Sequence, residues 1–245
     1  MKTIDIINAI RWLQPQEVQA SVPTHFQLGF CGIPTTNPGM VPDTVHAKVA
    51  SKQIHGTNIT RVNSNNSHED FVGDGLQTTA QDLVLTITTA DCLPILAGRR
   101  ERSVVAAHAG WRGVVAGMTG EILRTFEEDG VSSAKVEIWI GPAIGPGSFE
   151  VGPEVISGLR KGLPFLTEED FCLCTHKGAR DRWFADLQTI AALAFCRNGC
   201  RPENIAIVRS CTFKNTQHWY SYRRTGSAKP SNTSWIQLSE PQHWD

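Results

Sequence analysis

Apolar runs dominate the middle of the chain, and each is interrupted by a few polar residues at its end. "DLVLTITTADC" (82–92) is β-branched and bounded by turn signals, and "RSVVAAHAG" (102–110) repeats the pattern. Both read as buried strands. "TTADCLPIL" (88–96) reads as buried strand too, with the pair Asp91-Cys92 out of place inside it. From Val45, "VHAKVASKQIHGTNITRV" reads as two short strands around a turn at Gly56-Thr57-Asn58. "KVEIWIG" (135–141), "NIAIVRS" (204–210), "WYSYRR" (219–224) and "SWIQL" (234–238) complete the expected strands.

The period changes in three places. Val114, Met118, Ile122 and Phe126 recur every fourth residue, which predicts a helix closed at Gly130. "PEVISGLRKGL" places Pro153 at a first helical position. "DLQTIAALAFCRNG" predicts a helix with Asp186 as N-cap and Gly199 as its stop. "GFCGIPTTNPGMVPDT" (29–44) and "NSNNSHEDFVGDG" (63–75) read as loops. Strands mixed with helices, without strict alternation, predict an α/β or α+β fold. No linker divides the chain, so a single domain over residues 1–245 is expected.

Composition narrows the function classes. A net charge of −1 gives no basic face, so nucleic acid is not an expected partner. No apolar run approaches a membrane helix in length, and the first residues lack a signal-peptide pattern. Seven cysteines, an odd number in a chain of 245 residues, suit a reduced cytoplasm better than a disulfide framework.

The polar residues at element ends carry the chemistry. His55, Cys92 and His108 each adjoin a turn, where side chains can share a pocket. Two imidazoles and a thiolate form a three-ligand zinc set with a fourth position open, the layout of catalytic zinc. The same residues admit two other readings: Cys92 as a nucleophile with His108 as its base, or a buried Cys beside two hydrogen-bonded His. Arg112, in "GWRG", suits an anionic substrate group; the alternative is a surface Arg packed on Trp111. Arg223-Arg224 is a second anion candidate. The dense turn chemistry of "IGPAIGPGSFEVG" (140–152) contains one carboxylate, Glu150, a candidate acid or base. In "FCLCTH", Cys172, Cys174 and His176 alternate as they would on one face of a strand.

Seven motifs, in order, carry a family resemblance: "QIHG" (53–56), "GDGLQTT" (73–79), "TADCLPIL" (89–96), "AAHAGWRGVVAG" (106–117), "IGPAIGPGSFEVG", "CT" (211–212) and "SYRR" (221–224). The chain resembles the bacterial laccase-domain or multicopper-polyphenol-oxidase-like proteins, also described as purine nucleoside phosphorylases and as a peptidoglycan editing factor. The resemblance implies layered mixed β-sheets flanked by helices, similar to the fold of the cytotoxic necrotizing factor-like cysteine hydrolases. It implies zinc on His55, Cys92 and His108, with copper as the alternative ion. It implies phosphorolysis of adenosine, inosine, guanosine or methylthioadenosine, with adenosine deamination as a related activity. A Cys92–His108 amide hydrolase editing peptidoglycan precursors is the alternative, and a phenol oxidase a third. With eight His in all, the chain is short of ligands for a multicopper cluster. Cys92, His108 and Glu150 are the expected catalytic residues; Gln53, Asp91, Arg112 and Arg223 are expected to meet nucleoside and phosphate. The family's "TRxGGVS" and "SLNLG"-like stretches are missing from residues 1–44, a divergent segment that puts substrate range in question.

Overall fold

The computed structural model describes residues 1–33, 46–49, 52–67 and 69–239. In chain order the first elements are α1 (Thr3–Ala9), β1 (Arg11–Leu13), α2 (Val18–Ser21), β2 (Phe26–Cys31), β3 (His46–Val49), β4 (Ile59–Arg61) and β5 (Gly75–Thr78). The central block is β6 (Leu83–Thr89), β7 (Leu93–Arg99), β8 (Ser103–Ala109), α3 (Trp111–Val115), α4 (Met118–Glu128) and β9 (Glu137–Ile140). Then follow β10 (Glu150–Val151), α5 (Pro153–Gly162), α6 (Glu168–Cys174), β11 (Thr175–Lys177) and β12 (Trp183–Ala185). The chain closes with α7 (Leu187–Arg197), β13 (Ile205–Val208), α8 (Tyr222–Thr225) and β14 (Asn232–Leu238).

A seven-stranded mixed sheet, ordered β1-β13-β9-β7-β8-β5-β4, forms the middle layer. Its side chains alternate between two cores. Ile95, Val105, Ile138 and Ile207 face one cluster, where Met118, Ile122, Phe126, Leu159 and Leu193 of the helices pack against them. Leu96, Val104, Trp139 and Val208 face the other, against Leu28, Leu85 and Ile236 of the four-stranded sheet β2-β14-β6-β3. Covering both faces is why these strands read as unbroken apolar runs. β10, β12 and β11 make a small third sheet at the side.

The expected helices form with their caps. The Asp186 side chain accepts from the Thr189 N–H, and Pro153 opens α5. Val114, Met118, Ile122 and Phe126 are all fully buried, but the helix is broken in two at Gly117, whose φ of 96° turns the chain between α3 and α4. Other expectations are corrected. The apolar run through residue 96 is not one strand: β6 lies in the four-stranded sheet and β7 in the seven-stranded one, joined by a sharp turn at residues 90–92. β3 and β4 also fall in different sheets rather than pairing. "WYSYRR" forms the short helix α8 and its approach, because the Ser221 side chain caps it by accepting from the Arg224 N–H. Cys172 and Cys174 lie on α6 and only His176 is on a strand, so the three share no face. A capping box between Thr167 and Asp170 starts that helix. Of the loop expected over 29–44, Gly29–Cys31 finish β2 and residues 34–44 lie outside the described residues.

The two sheets approach closely just beyond β9. A Cβ on Gly141 would sit 2.2 Å from the Phe30 ring and 2.8 Å from Pro94 Cγ. Gly141→Ala is therefore expected to lower stability by about 1–3 kcal/mol, from overpacking alone. A urea titration followed by tryptophan fluorescence checks this; an unchanged midpoint would show that the layers can part at no cost.

Candidate metal centre and its cavity

Two strand registers and two turns bring the chemistry together. His108 on β8 pairs with Pro94 on β7, two residues from Cys92. Gly75 on β5 pairs with Ala107, so Asp74 lies beside His108, and its carbonyl accepts the His108 N–H at 2.7 Å. His55 arrives on the "QIHG" turn with φ 60°, and Asp91 holds the turn before Cys92 with φ 86°. Left-handed backbone at non-glycine residues is uncommon and needs surrounding contacts to hold it.

Those contacts are visible. Asp74 is fully buried, and its carboxylate accepts the N–H groups of Ile54 (3.1 Å), His55 (2.9 Å) and Gly56 (2.7 Å). It also meets His108 Nδ1 at 2.9 Å. Burial alone would raise this carboxyl; the hydrogen bonds from His108 and the three amides overcome that and hold it below its ordinary value. Asp91 is fixed in the same way. Its carboxylate accepts from Thr212 Oγ1 (2.5 Å), Ser221 Oγ (2.9 Å) and the Arg223 N–H (2.7 Å), and its carbonyl accepts the Ile144 N–H.

The ligand atoms of His55, Cys92 and His108 all lie within 4.8 Å of one another. His55 Nε2 is 3.9 Å from Cys92 Sγ. Around a tetrahedral zinc, donor atoms stand about 3.3–3.7 Å apart, from bond lengths near 2.0 and 2.3 Å. The trio fits an ion after small side-chain rotations. Its chemistry fits as well: with Nδ1 held by Asp74, His108 presents Nε2 to the centre, the carboxylate–histidine arrangement of metal sites. Gly110 leaves the room, since a Cβ there would be 2.9 Å from Cys92 Sγ and 3.0 Å from His55 Cδ2. Among the described residues this is the one group of three or more His, Cys, Asp or Glu side chains placed to hold an ion.

The trio lies in the wall of a cavity of about 650 Å³. Gln53, Asp91, Arg112 and Arg223 line it too, with Phe149, Trp111 and Tyr222 supplying aromatic surface. Gln53 also braces β6: its amide donates to the Thr88 carbonyl at 2.8 Å and accepts the Thr88 N–H at 3.0 Å. Arg112 stacks on Trp111, its guanidinium carbon 4.5 Å from the ring centroid, and also borders the cavity. Arg223 donates to the Glu150 carbonyl at 3.0 Å. Arg224 instead donates to the carbonyls of Thr212, Phe213 and Trp219 and is structural. Glu150 is exposed and does not line the cavity; on β10 its neighbour Phe149 takes that place. Asp74 was not among the sequence candidates. Its signal was present in "GDGLQTT", a carboxylate between two glycines directly before an apolar strand.

A family model described as multi-copper polyphenol oxidoreductase laccase matches residues 39–238. The chain belongs to this family. A purine nucleoside phosphorylase of Pseudomonas aeruginosa is 31% identical over 199 residues, covering 76% of this chain and 72% of that one. Purine nucleoside phosphorylase YfiH of Escherichia coli is 31% identical over 174 residues, covering 71% and 67%. Among solved structures, hypothetical protein YfiH of Bacillus licheniformis superposes with a TM-score of 0.73 at 25% identity, covering 80% of this chain and 76% of that one. YlmD of Geobacillus stearothermophilus gives 0.72 at 26%, covering 80% and 74%. These two solved structures thus share the layered fold, and relatives similar in sequence carry the phosphorylase name. No helix among the described residues is long and apolar enough to cross a membrane.

Two measurements test the centre. Burial alone would raise the Cys92 thiol, but hydrogen bonds and charge from His108 and His55 bring it down to about 7 in the metal-free protein. Burial drives Cys174 far up, and Cys196 and Cys200 to about 12. With the ion chelated, iodoacetamide is expected to label Cys92 with a rate rising through pH 7 as the thiolate forms, and to spare those three; peptide mapping reads the order. Asp74→Ala would leave three amide donors and His108 Nδ1 without their shared acceptor. It is expected to weaken metal binding about 10–100-fold and to lower the melting temperature; chelator competition and calorimetry measure both.

Proposed function

We propose that the protein is a metal-dependent purine nucleoside phosphorylase, with zinc on His55, Cys92 and His108. One observation carries this reading: the three candidate ligands open onto a cavity that holds aromatic surface and cationic side chains without ion-pair partners among the described residues. The names of the relatives agree with it. Phe149, Trp111 and Tyr222 offer faces for a purine, worth about 0.5–1.5 kcal/mol per aromatic pair beyond burial. Arg112 and Arg223 offer planar forks to phosphate. A phosphate oxygen bonds to ribose C1′ while the C1′–N9 bond breaks; the bonding pair leaves with the purine, which takes up a proton. The chain's part is to hold the two substrates in line and away from water. Asp74 keeps His108 oriented, Gln53 and Asp91 fix the turns that carry His55 and Cys92, and Glu150 has no part because its carboxylate lies outside the cavity. When bound, the ion supplies Lewis acidity at the wall. The same site is set for adenosine, inosine, guanosine and methylthioadenosine, and attack at the purine C6 would make it an adenosine deaminase.

One specific observation favours a second reading. The Cys92 thiol at about 7 and the His108 imidazole pushed up to about 9 form a thiolate–imidazolium pair without any ion. That pair suits a cysteine amide hydrolase of the necrotizing factor-like kind, acting on peptidoglycan precursors.

The test is direct. Metal is quantified by mass spectrometry, and the protein is incubated with adenosine and phosphate while adenine, inosine and ribose 1-phosphate are resolved by chromatography. About one zinc per chain is expected, with phosphate-dependent adenine release that falls at least about 100-fold in Cys92→Ala and His108→Ala. Inosine without adenine would assign deamination. Activity on amides that survives complete chelation would replace the phosphorylase with the hydrolase.

A further inference from the structure

The chain leaves α8 through a short loop that returns to the cavity. Gly226, with φ 72°, ends the helix and donates its N–H to the Tyr222 carbonyl at 2.7 Å. Ser227 then folds the loop: its hydroxyl donates to the Lys229 carbonyl at 2.8 Å and accepts the Lys229 N–H at 3.1 Å. Asn232, buried at the start of β14, closes the loop's base. It accepts the Tyr220 N–H at 2.8 Å and donates to the Tyr220 carbonyl at 2.9 Å. The backbone of Lys229 is therefore fixed at both ends, and its residue borders the same cavity as Cys92 and His108.

The charges on that cavity do not balance. Arg112, Arg223 and Lys229 border it, and each comes from a different segment: the first turn of α3, α8, and the 226–231 loop. Asp91 is the one carboxylate among the described lining residues, and it already accepts three hydrogen bonds from Thr212, Ser221 and the Arg223 N–H. None of the three cations has an ion-pair partner among the described residues. Arg197 and Arg209, by contrast, are paired with Asp170 and Asp186. Three like charges around one concave space, against a single carboxylate that is already hydrogen-bonded, raise the local concentration of anions and favour binding of one there. The planar forks of the two arginines can each take two oxygens, and a lysine adds a compact point charge with rotatable donors. A tetrahedral phosphoryl dianion is the ligand that uses all three.

We propose that Lys229 is the third cation of a phosphate subsite that it forms with Arg112 and Arg223. This rests on the phosphorylase reading for its substrate, inorganic phosphate, but not for its existence. A 5′-phosphate on a nucleotide shares the chemistry and is the other source.

Isothermal titration of inorganic phosphate into the full-length, metal-loaded protein is the test, with no nucleoside present. Lys229→Gln, compared at equal metal content, is expected to raise the phosphate Kd about tenfold, the loss of one charge-assisted contact. Lys229→Arg keeps the charge and is expected to stay within about twofold of the wild type. In turnover, Lys229→Gln should raise KM for phosphate and leave KM for adenosine unchanged. Titration with adenosine 5′-monophosphate, with and without saturating phosphate, separates the sources: competition places a nucleotide's phosphate in the same subsite. An unchanged phosphate Kd in Lys229→Gln, or a rise in adenosine KM alone, overturns the proposal. Lys229-dependent phosphate binding in a protein that releases no adenine would overturn the phosphorylase and leave the subsite standing.

Discussion

The buried Asp74 carboxylate is the contact on which the centre depends. It gathers the N–H groups of Ile54, His55 and Gly56 and the Nδ1 of His108 onto two oxygens. A carboxylate in a fully buried position is costly unless it is hydrogen-bonded, and here four donors surround it. The interaction is thus reciprocal. The turn that carries His55 keeps its left-handed backbone because Asp74 collects its amides. Asp74 stays ionised because the turn and His108 supply the donors. Removing either side leaves buried polar groups without partners, which is why His108 and the "QIHG" turn behave as one unit.

Around that unit the fold contributes rigidity by covering a central sheet on both faces. The helices and the four-stranded sheet fix β7 and β8, and β8 delivers His108 with a register that cannot slip. A slip by one residue would turn every core side chain of the strand to the opposite layer. The cavity then opens at the strand ends, where the backbone leaves the sheets and loops can bring side chains from distant parts of the chain. Cys92, Arg112 and Arg223 come together there although 131 positions separate the first from the last.

Much of this was legible in the sequence, and the reasons differ by element. His55, Cys92 and His108 could be singled out because a polar side chain at the end of an apolar run has no role in a core. α7 could be bounded because Asp186 and Gly199 are strong end signals. The strand through residue 96 was misjudged because a left-handed Asp91 lets the chain turn without glycine or proline, so no punctuation marks it. "WYSYRR" looked like a strand by composition, and a single serine cap overrode that preference. Cys172 and Cys174 alternate as strand residues do, but the Thr167–Asp170 capping box starts a helix through them. Asp74 escaped notice because its partners are backbone amides, which no side-chain pattern reveals. Glu150 lies outside the cavity lining for a related reason: a glycine-rich loop does not declare which of its faces looks inward.

The turn at residues 90–92 has a consequence for how the molecule behaves as a body. It is the point where the chain steps from one β-layer to the other, with Cys92 on the step and Thr212 and Ser221 clamped to the adjoining Asp91. An ion held between Cys92 and the two histidines would therefore tie this step to β8 and to the turn that carries His55. Any displacement of the step relative to β8 would then pull Cys92 away from the histidines, so the centre would report on the place where the chain changes layers.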